Sequence, residues 1–155
     1  MHIELTSEDA MKQFGQLVGR LMRGGETIEL VGDVGAGKTT FTKGLALGME
    51  IIEPIQSPTF TISRVYETHE GIKLAHYDFY RLSEAGVMAD ELQEVLHDPN
   101  TTTVIEWAGI VEGVLPQDRI RIEFGSPSET TRHCKILTHD EPLLEALKAE
   151  YDPIA

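Results

Sequence analysis

Residues 26–40 read Glu-Thr-Ile-Glu-Leu-Val-Gly-Asp-Val-Gly-Ala-Gly-Lys-Thr-Thr. Ile28 and Leu30 alternate with polar neighbours and the run closes on Val31, the pattern of a strand entering a core. From Gly32 the spacing becomes Gly-x-x-x-x-Gly-Lys-Thr, through Gly37, Lys38 and Thr39, a complete P-loop pattern. Apolar side chains at Phe41, Leu45 and Ala46 follow at helical spacing. The motif therefore sits where its chemistry requires it, between a strand and a helix.

A polyphosphate is multiply anionic, and a helix N-terminus offers unpaired N–H groups with partial positive charge. Glycines at 32, 35 and 37 let the backbone approach phosphate oxygens with no Cβ in the way. In such a loop Lys38 reaches the β- and γ-phosphates and the Thr39 hydroxyl ligates Mg²⁺. Asp33, Val34, Gly35, Ala36, Gly37, Lys38, Thr39 and Thr40 are thus the candidate nucleotide contacts. A chance glycine-rich turn explains the loop but not the strand and helix that flank it.

The chain has 155 residues and a formal net charge of −13, which argues against holding nucleic acid through its general field. Its length suits a single domain, residues 1–155. One cysteine, Cys134, leaves no intramolecular disulfide, and it reads as a buried small residue in an edge hairpin. The N-terminal residues do not resemble a signal peptide and no apolar run reaches spanning length, so a cytoplasmic location with no membrane contact is expected.

Outward from the loop, residues 2–5 read as a short strand. Thr6 or Ser7 caps a one-faced helix carrying Met11, Phe14, Leu17, Val18, Leu21 and Met22, and Gly24-Gly25 stops it. Residues 59–68 and 72–79 are strand-like around His69-Glu70-Gly71, a hairpin turn. A short helix is expected at residues 90–97, a strand at 102–105, two further strands at 119–124 and 132–137 joined as a hairpin, and a last helix after Asp140. These elements make an α/β fold, a P-loop NTPase with a mixed parallel/antiparallel central sheet flanked by helices.

A P-loop needs an acid at the end of a neighbouring strand to hold Mg²⁺. Asp78 and Glu106 both end strands, and position alone does not rank them. Ser57-Pro58-Thr59-Phe60 could approach the γ-phosphate as a switch segment, although a strand-entry turn fixed by Pro58 is the simpler reading. Trp107 reads first as a packing residue. The six histidines show no metal-ligand spacing, so no zinc site is expected.

Asn100 is the only asparagine, so the Asn-Lys-x-Asp element of guanine-specific GTPases is missing, and ATP is the expected nucleotide. A small-molecule kinase is one alternative. Residues 82–118 contain no Lys or Arg, which weighs against a kinase lid bearing arginines. An ATP-dependent docking switch without significant catalysis is the other.

Four ordered segments, residues 32–40, Ser57-Pro58-Thr59-Phe60, His76-Tyr77-Asp78-Phe79-Tyr80-Arg81-Leu82 and Val104-Ile105-Glu106-Trp107, together resemble the TsaE (YjeE) family. These are the small bacterial ATPases needed to make threonylcarbamoyladenosine at adenosine 37 of tRNA. The resemblance implies ATP and Mg²⁺ as cofactors. It also implies hydrolysis that depends on a two-subunit threonylcarbamoyl transferase complex of TsaB and TsaD type proteins, with tRNA contacted mainly through them. It makes Lys38 and Thr39 phosphate and Mg²⁺ contacts, Glu106 an Mg²⁺ ligand and Asp78 the acid needed for hydrolysis. Ser57 and Thr59 become a switch-like segment and Trp107 a site residue. The adenine pocket is expected near the N-terminal helix and the final hairpin around Arg132. Val34 stands where the family usually has Leu, and residues 83–96 match its Leu-Gly-containing stretch poorly.

Overall fold

The computed structural model describes residues 1–58, 61–68 and 70–154. Strand β1 (His2–Leu5) leads into helix α1 (Glu8–Arg20), strand β2 (Thr27–Val31) and helix α2 (Lys38–Gly48). Strands β3 (Ser63–Glu67) and β4 (Lys73–Asp78) follow, then helix α3 (Val87–Leu96) and strand β5 (Thr101–Glu106). A 3₁₀-helix (Ala108–Val114), strands β6 (Ile120–Gly125) and β7 (Arg132–Leu137), and helix α4 (Glu141–Glu150) complete the order.

The strands form one seven-stranded sheet in the order β1-β7-β6-β2-β5-β4-β3. Its centre is parallel, with β2 between β5 and β6 and β4 beyond β5. Both flanks are antiparallel: β3 on β4, β7 on β6, and β1 on β7. This is the mixed α/β sheet expected. The parallel centre buries both faces, which is why β5 (Thr-Thr-Thr-Val-Ile-Glu) is buried along its whole length.

Alternation along the strands divides the core in two. Ile28, Leu30, Leu74, Val104, Ile120 and Ile122 face a large cluster with Phe14 and Val18 of α1, Phe41 and Leu45 of α2, and Leu143 and Leu147 of α4. Ala75, Tyr77 and Ile105 face the other side, against Leu92 of α3 and Ala108, Val111 and Leu115. Ser7 caps α1, its hydroxyl accepting from the Ala10 amide at 3.0 Å. Such a cap contributes about 1 kcal/mol.

Helices α1 and α2 cross at unusually short range. A Cβ placed on Gly15 or Gly19 would run into the Phe41 or Leu45 carbonyl oxygen, and one on Gly44 or Gly48 into the Lys12 or Gln16 carbonyl. Glycine at all four positions lets the two backbones touch.

Several boundaries differ from the sequence reading. Helix α3 begins at Val87, three residues early, behind Gly86 at φ 54°. Strand β3 begins at Ser63 because Thr61 and Ile62 both donate to the Pro58 carbonyl in a turn, with Ile62 at φ 70°. The expected hairpin turn includes His69, which lies outside the described residues. Cys134 is buried as expected, but β7 is not an edge: β1 pairs along it and opposes Ile3 to Cys134.

Candidate nucleotide-binding site

Three segments converge at the C-terminal ends of the parallel strands, where open α/β sheets bind ligands. Strand β2 runs into the glycine loop, and β5 and β4 end on Glu106 and Asp78. The parallel register of β4 on β5 sets these two acids side by side. Both are buried, at 4% and 5% exposure. A buried acid needs partners, and each has them.

The loop turns through Gly35 at φ 84° and Gly37 at φ 109°, a region open to glycine. Nothing lies within 4 Å of where a Gly35 Cβ would stand. Helix α2 then starts at Lys38 with no side chain capping it, so its first-turn amides face the loop without a competing side-chain acceptor.

Lys38 is 6% exposed. Its Nζ donates to the Gly32 carbonyl at 2.6 Å, stands 3.8 Å from Glu106 Oε1, and lies 4.4 Å from the Trp107 ring centroid. Carbonyl, carboxylate and π-face together compensate a cation drawn out of water. The other Glu106 oxygen, Oε2, is 2.6 Å from His76 Nε2. Asp78 Oδ1 accepts from the Tyr80 amide at 2.9 Å, and the Phe79 amide donates to the Glu106 carbonyl, tying the two strand ends together. Trp107 holds a left-handed backbone (φ 57°), which turns its ring back across the loop and opens the 3₁₀-helix. Tyr80 packs on it at 4.9 Å between centroids.

Two adjoining hollows share Gly35, Gly37 and Thr40. One, of 280 Å³, is lined by Val34, Lys38, Thr39, Ser57, Asp78, Tyr80, Glu106 and Trp107. The other, of 570 Å³, lies between Thr6, Ser7, Glu8 and Met11 of the N-terminal helix region and Glu129, Thr130 and Arg132 of the last hairpin. Arg132 Nη2 reaches the Gly35 carbonyl at 3.4 Å, and Met11 packs on Gly37, where a Cβ would stand 2.8 Å from its Cε. The candidates Lys38, Thr39, Ser57, Asp78, Glu106 and Trp107 thus meet in the first hollow, and Arg132 lies in the second. Asp33 and Ala36 shape the turn through an Ala36 N–H to Asp33 carbonyl bond of 3.1 Å. Thr59 lies outside the described residues.

No group of three His, Cys, Asp or Glu side chains able to hold a metal occurs among the described residues. The donors here are instead hard oxygens: two neighbouring carboxylates and the Thr39 hydroxyl. That set fits Mg²⁺, which takes one or two carboxylates and fills its remaining positions with phosphate and water. Arg119 is committed elsewhere, to Glu29 at 2.9 Å and Glu112 at 2.8 Å. Burial opposes its charge, but these partners outweigh it and raise its pKa.

Sequence reasoning missed His76. The signal was present in β4, where Leu74, His76 and Asp78 alternate onto one face, but its partner on β5 depends on strand order. No helix among the described residues is long and apolar enough to cross a membrane.

Comparison with known proteins places this arrangement among relatives. The family model described as "Threonylcarbamoyl adenosine biosynthesis protein TsaE" matches residues 5–134. The tRNA threonylcarbamoyladenosine biosynthesis protein TsaE of Streptomyces coelicolor is 36% identical over 135 residues, spanning 81% of this chain and 88% of that protein. The protein of the same name from Bacillus subtilis is 39% identical over 112 residues, 72% of this chain and 68% of its own. That of Treponema pallidum is 42% identical over 111 residues, 71% and 80%. The crystal structure of Bacillus subtilis YdiB superposes with a TM-score of 0.74 at 26% identity, covering 96% of this chain and 92% of that one.

Proposed function

This chain belongs to the TsaE family of threonylcarbamoyladenosine biosynthesis proteins, and we infer that it serves there as a magnesium-dependent ATPase activated by partner proteins. The observation that carries this reading is the buried Lys38–Glu106 pair, 3.8 Å apart beneath the glycine loop and beside Asp78.

ATP would lie across both hollows. The polyphosphate meets the amides of residues 33–40 and Lys38, whose Nζ exchanges the Gly32 carbonyl for a phosphate oxygen. The base enters the cleft between α1 and the Arg132 hairpin. Thr39 and Glu106 would hold Mg²⁺, which supplies charge neutralisation of the phosphates. Asp78 would orient the attacking water, and Ser57, which lines the same hollow, would approach the γ-phosphate. Trp107 covers Lys38 from the solvent side and lowers the local dielectric around the charge.

Hydrolysis also needs a cation for the charge that builds on the transferred phosphoryl group, and an arginine finger contributes roughly 10³–10⁵ in rate. Arg119 is held by acids, and Arg121 pairs with Glu123 and Glu29. Arg81, in the Asp-Phe-Tyr-Arg run that follows β4, is the internal candidate, but we take the activation to come from a partner, the two-subunit transferase of TsaB and TsaD type proteins, with tRNA reached through that complex. The chain acts as one domain in the cytoplasm.

The test is ATPase turnover of the purified protein with and without the transferase complex. Activity only with the complex is expected. Turnover of about one per second or faster by the chain alone, in the ordinary range of enzymes, overturns the partner-activated reading; turnover by the chain alone only once a small acceptor is supplied favours a kinase.

A further inference from the structure

His76 takes no part in the chemistry described so far, yet it is 0% exposed. Its Nε2 is 2.6 Å from Glu106 Oε2. The Glu106 carboxylate, which also faces Lys38, accepts in this contact, so Nε2 carries the hydrogen. The other ring nitrogen, Nδ1, is buried without a hydrogen-bond partner. Leaving a buried polar atom unpaired is destabilising, so such an atom has a reason to be there.

The reason stands across the strand pair. Antiparallel register sets Arg64 of β3 opposite His76, on the same face of the sheet. Arg64 Nε is likewise buried with no partner. The two atoms belong to directly opposed residues, and a single water between them would satisfy both. Such a water would link Arg64, on an edge strand, through His76 to the carboxylate beside the loop. Strand β3 also leads back, within a few residues, to the turn at Pro58 and the Ser57 segment.

We propose that His76 is a positioning residue that holds the Glu106 carboxylate in its metal-facing orientation, with its own ring fixed from behind by Arg64. The proposal rests on the magnesium-ATP reading above. Carboxylate ligands are steered by their outer hydrogen bonds, and losing such a partner typically costs 10–100-fold in metal affinity. With His76 gone, Glu106 is free to collapse onto Lys38 as a closer ion pair, which withdraws it from the metal and neutralises the lysine at once.

The experiment is calorimetric titration of the full chain with a non-hydrolysable ATP analogue at stepped Mg²⁺ concentrations, and in EDTA. His76→Phe keeps the volume but donates nothing, and His76→Asn keeps a polar atom near Nδ1 but loses the donor to Glu106. For both, the Mg²⁺ concentration at half-maximal enhancement of binding should rise about tenfold or more, with binding in EDTA unchanged. His76→Gln, whose amide nitrogen can replace Nε2, should restore the unaltered value. Arg64→Met lies on an edge strand and is partly exposed, so it tests the rear contact without risk to the core, and a rise of about threefold is expected, below the full loss of an outer partner. Thermal melts accompany each variant. An unchanged Mg²⁺ dependence in folded His76→Asn or His76→Phe overturns the proposal, as does an equal loss of binding with and without Mg²⁺. An unaltered Arg64→Met overturns the rear contact. If the unaltered chain shows no Mg²⁺-dependent binding, the ATPase reading itself falls.

Discussion

Gly19→Ala adds one methyl group where α1 touches α2, and two opposing terms set its effect. Alanine is the better helix former, by about 0.5–1 kcal/mol over glycine. Against this, the new Cβ would overlap the Leu45 carbonyl oxygen and stand 3.0 Å from the Gly48 Cα. Both obstacles are backbone, so no rotamer change relieves them and the helices must separate. Overpacking of this kind costs about 1–3 kcal/mol. The net expectation is a loss of about 1–2 kcal/mol, or a melting temperature lower by roughly 3–6 °C for a chain of this size. Urea unfolding followed by Trp107 fluorescence measures it. Gly109→Ala is the control, since nothing lies within 4 Å of the added Cβ, and it should stay within about 0.5 kcal/mol. Separation of the helices also draws Thr6, Ser7 and Met11 away from Gly35 and Thr40, opening the larger hollow. ATP affinity should therefore fall while that of inorganic tripolyphosphate, which needs only the loop, is kept. The double variant Gly19→Ala/Gly44→Ala should cost less than the sum of its parts, because the first methyl has already parted the helices. A Gly19→Ala protein that melts at or above the unaltered chain refutes the reasoning.

Three other outcomes are expected. Glu106→Gln should weaken Mg²⁺-dependent ATP binding, whereas Asp78→Asn should bind Mg-ATP normally and lose partner-stimulated turnover; full turnover in both rejects the site assignment. Calorimetric titration should show Mg-ATP binding preferred to Mg-GTP, and equal affinities count against the ATP reading. Burial pushes the Cys134 thiol up from 9.0 to about 12, so it should resist a thiol reagent at pH 8 until denaturant is added. Between those two values the native state keeps a proton that the unfolded chain releases, so this group lowers stability as pH rises from about 9 to about 12. Rapid native labelling contradicts the burial.

What the sequence disclosed was local. The glycine loop, its strand and its helix are contiguous, and each residue type has a steric or electrostatic reason visible within a few positions. Hairpins at both flanks declared themselves by alternation around turn residues. Distant pairings did not. That β1 seals β7 follows from no periodicity, and the 3₁₀-helix Ala-Gly-Ile-Val-Glu-Gly-Val has neither a cap nor a repeat to announce it. The four glycines of α1 and α2 each lower helix propensity taken alone, and their use is visible only where the two helices touch. The two acids show the same division. Each was legible as a strand-end carboxylate, but their ranking depends on register. Side by side on β4 and β5, they differ in what holds them. Glu106 is gripped across strands by His76 and faces Lys38, the fixed geometry a small octahedral cation demands. Asp78 Oδ1 accepts from the amide of its own turn, at Tyr80, where β4 passes into the loop that follows it. A carboxylate lining the hollow, beside that turn, suits the water-orienting role proposed for it.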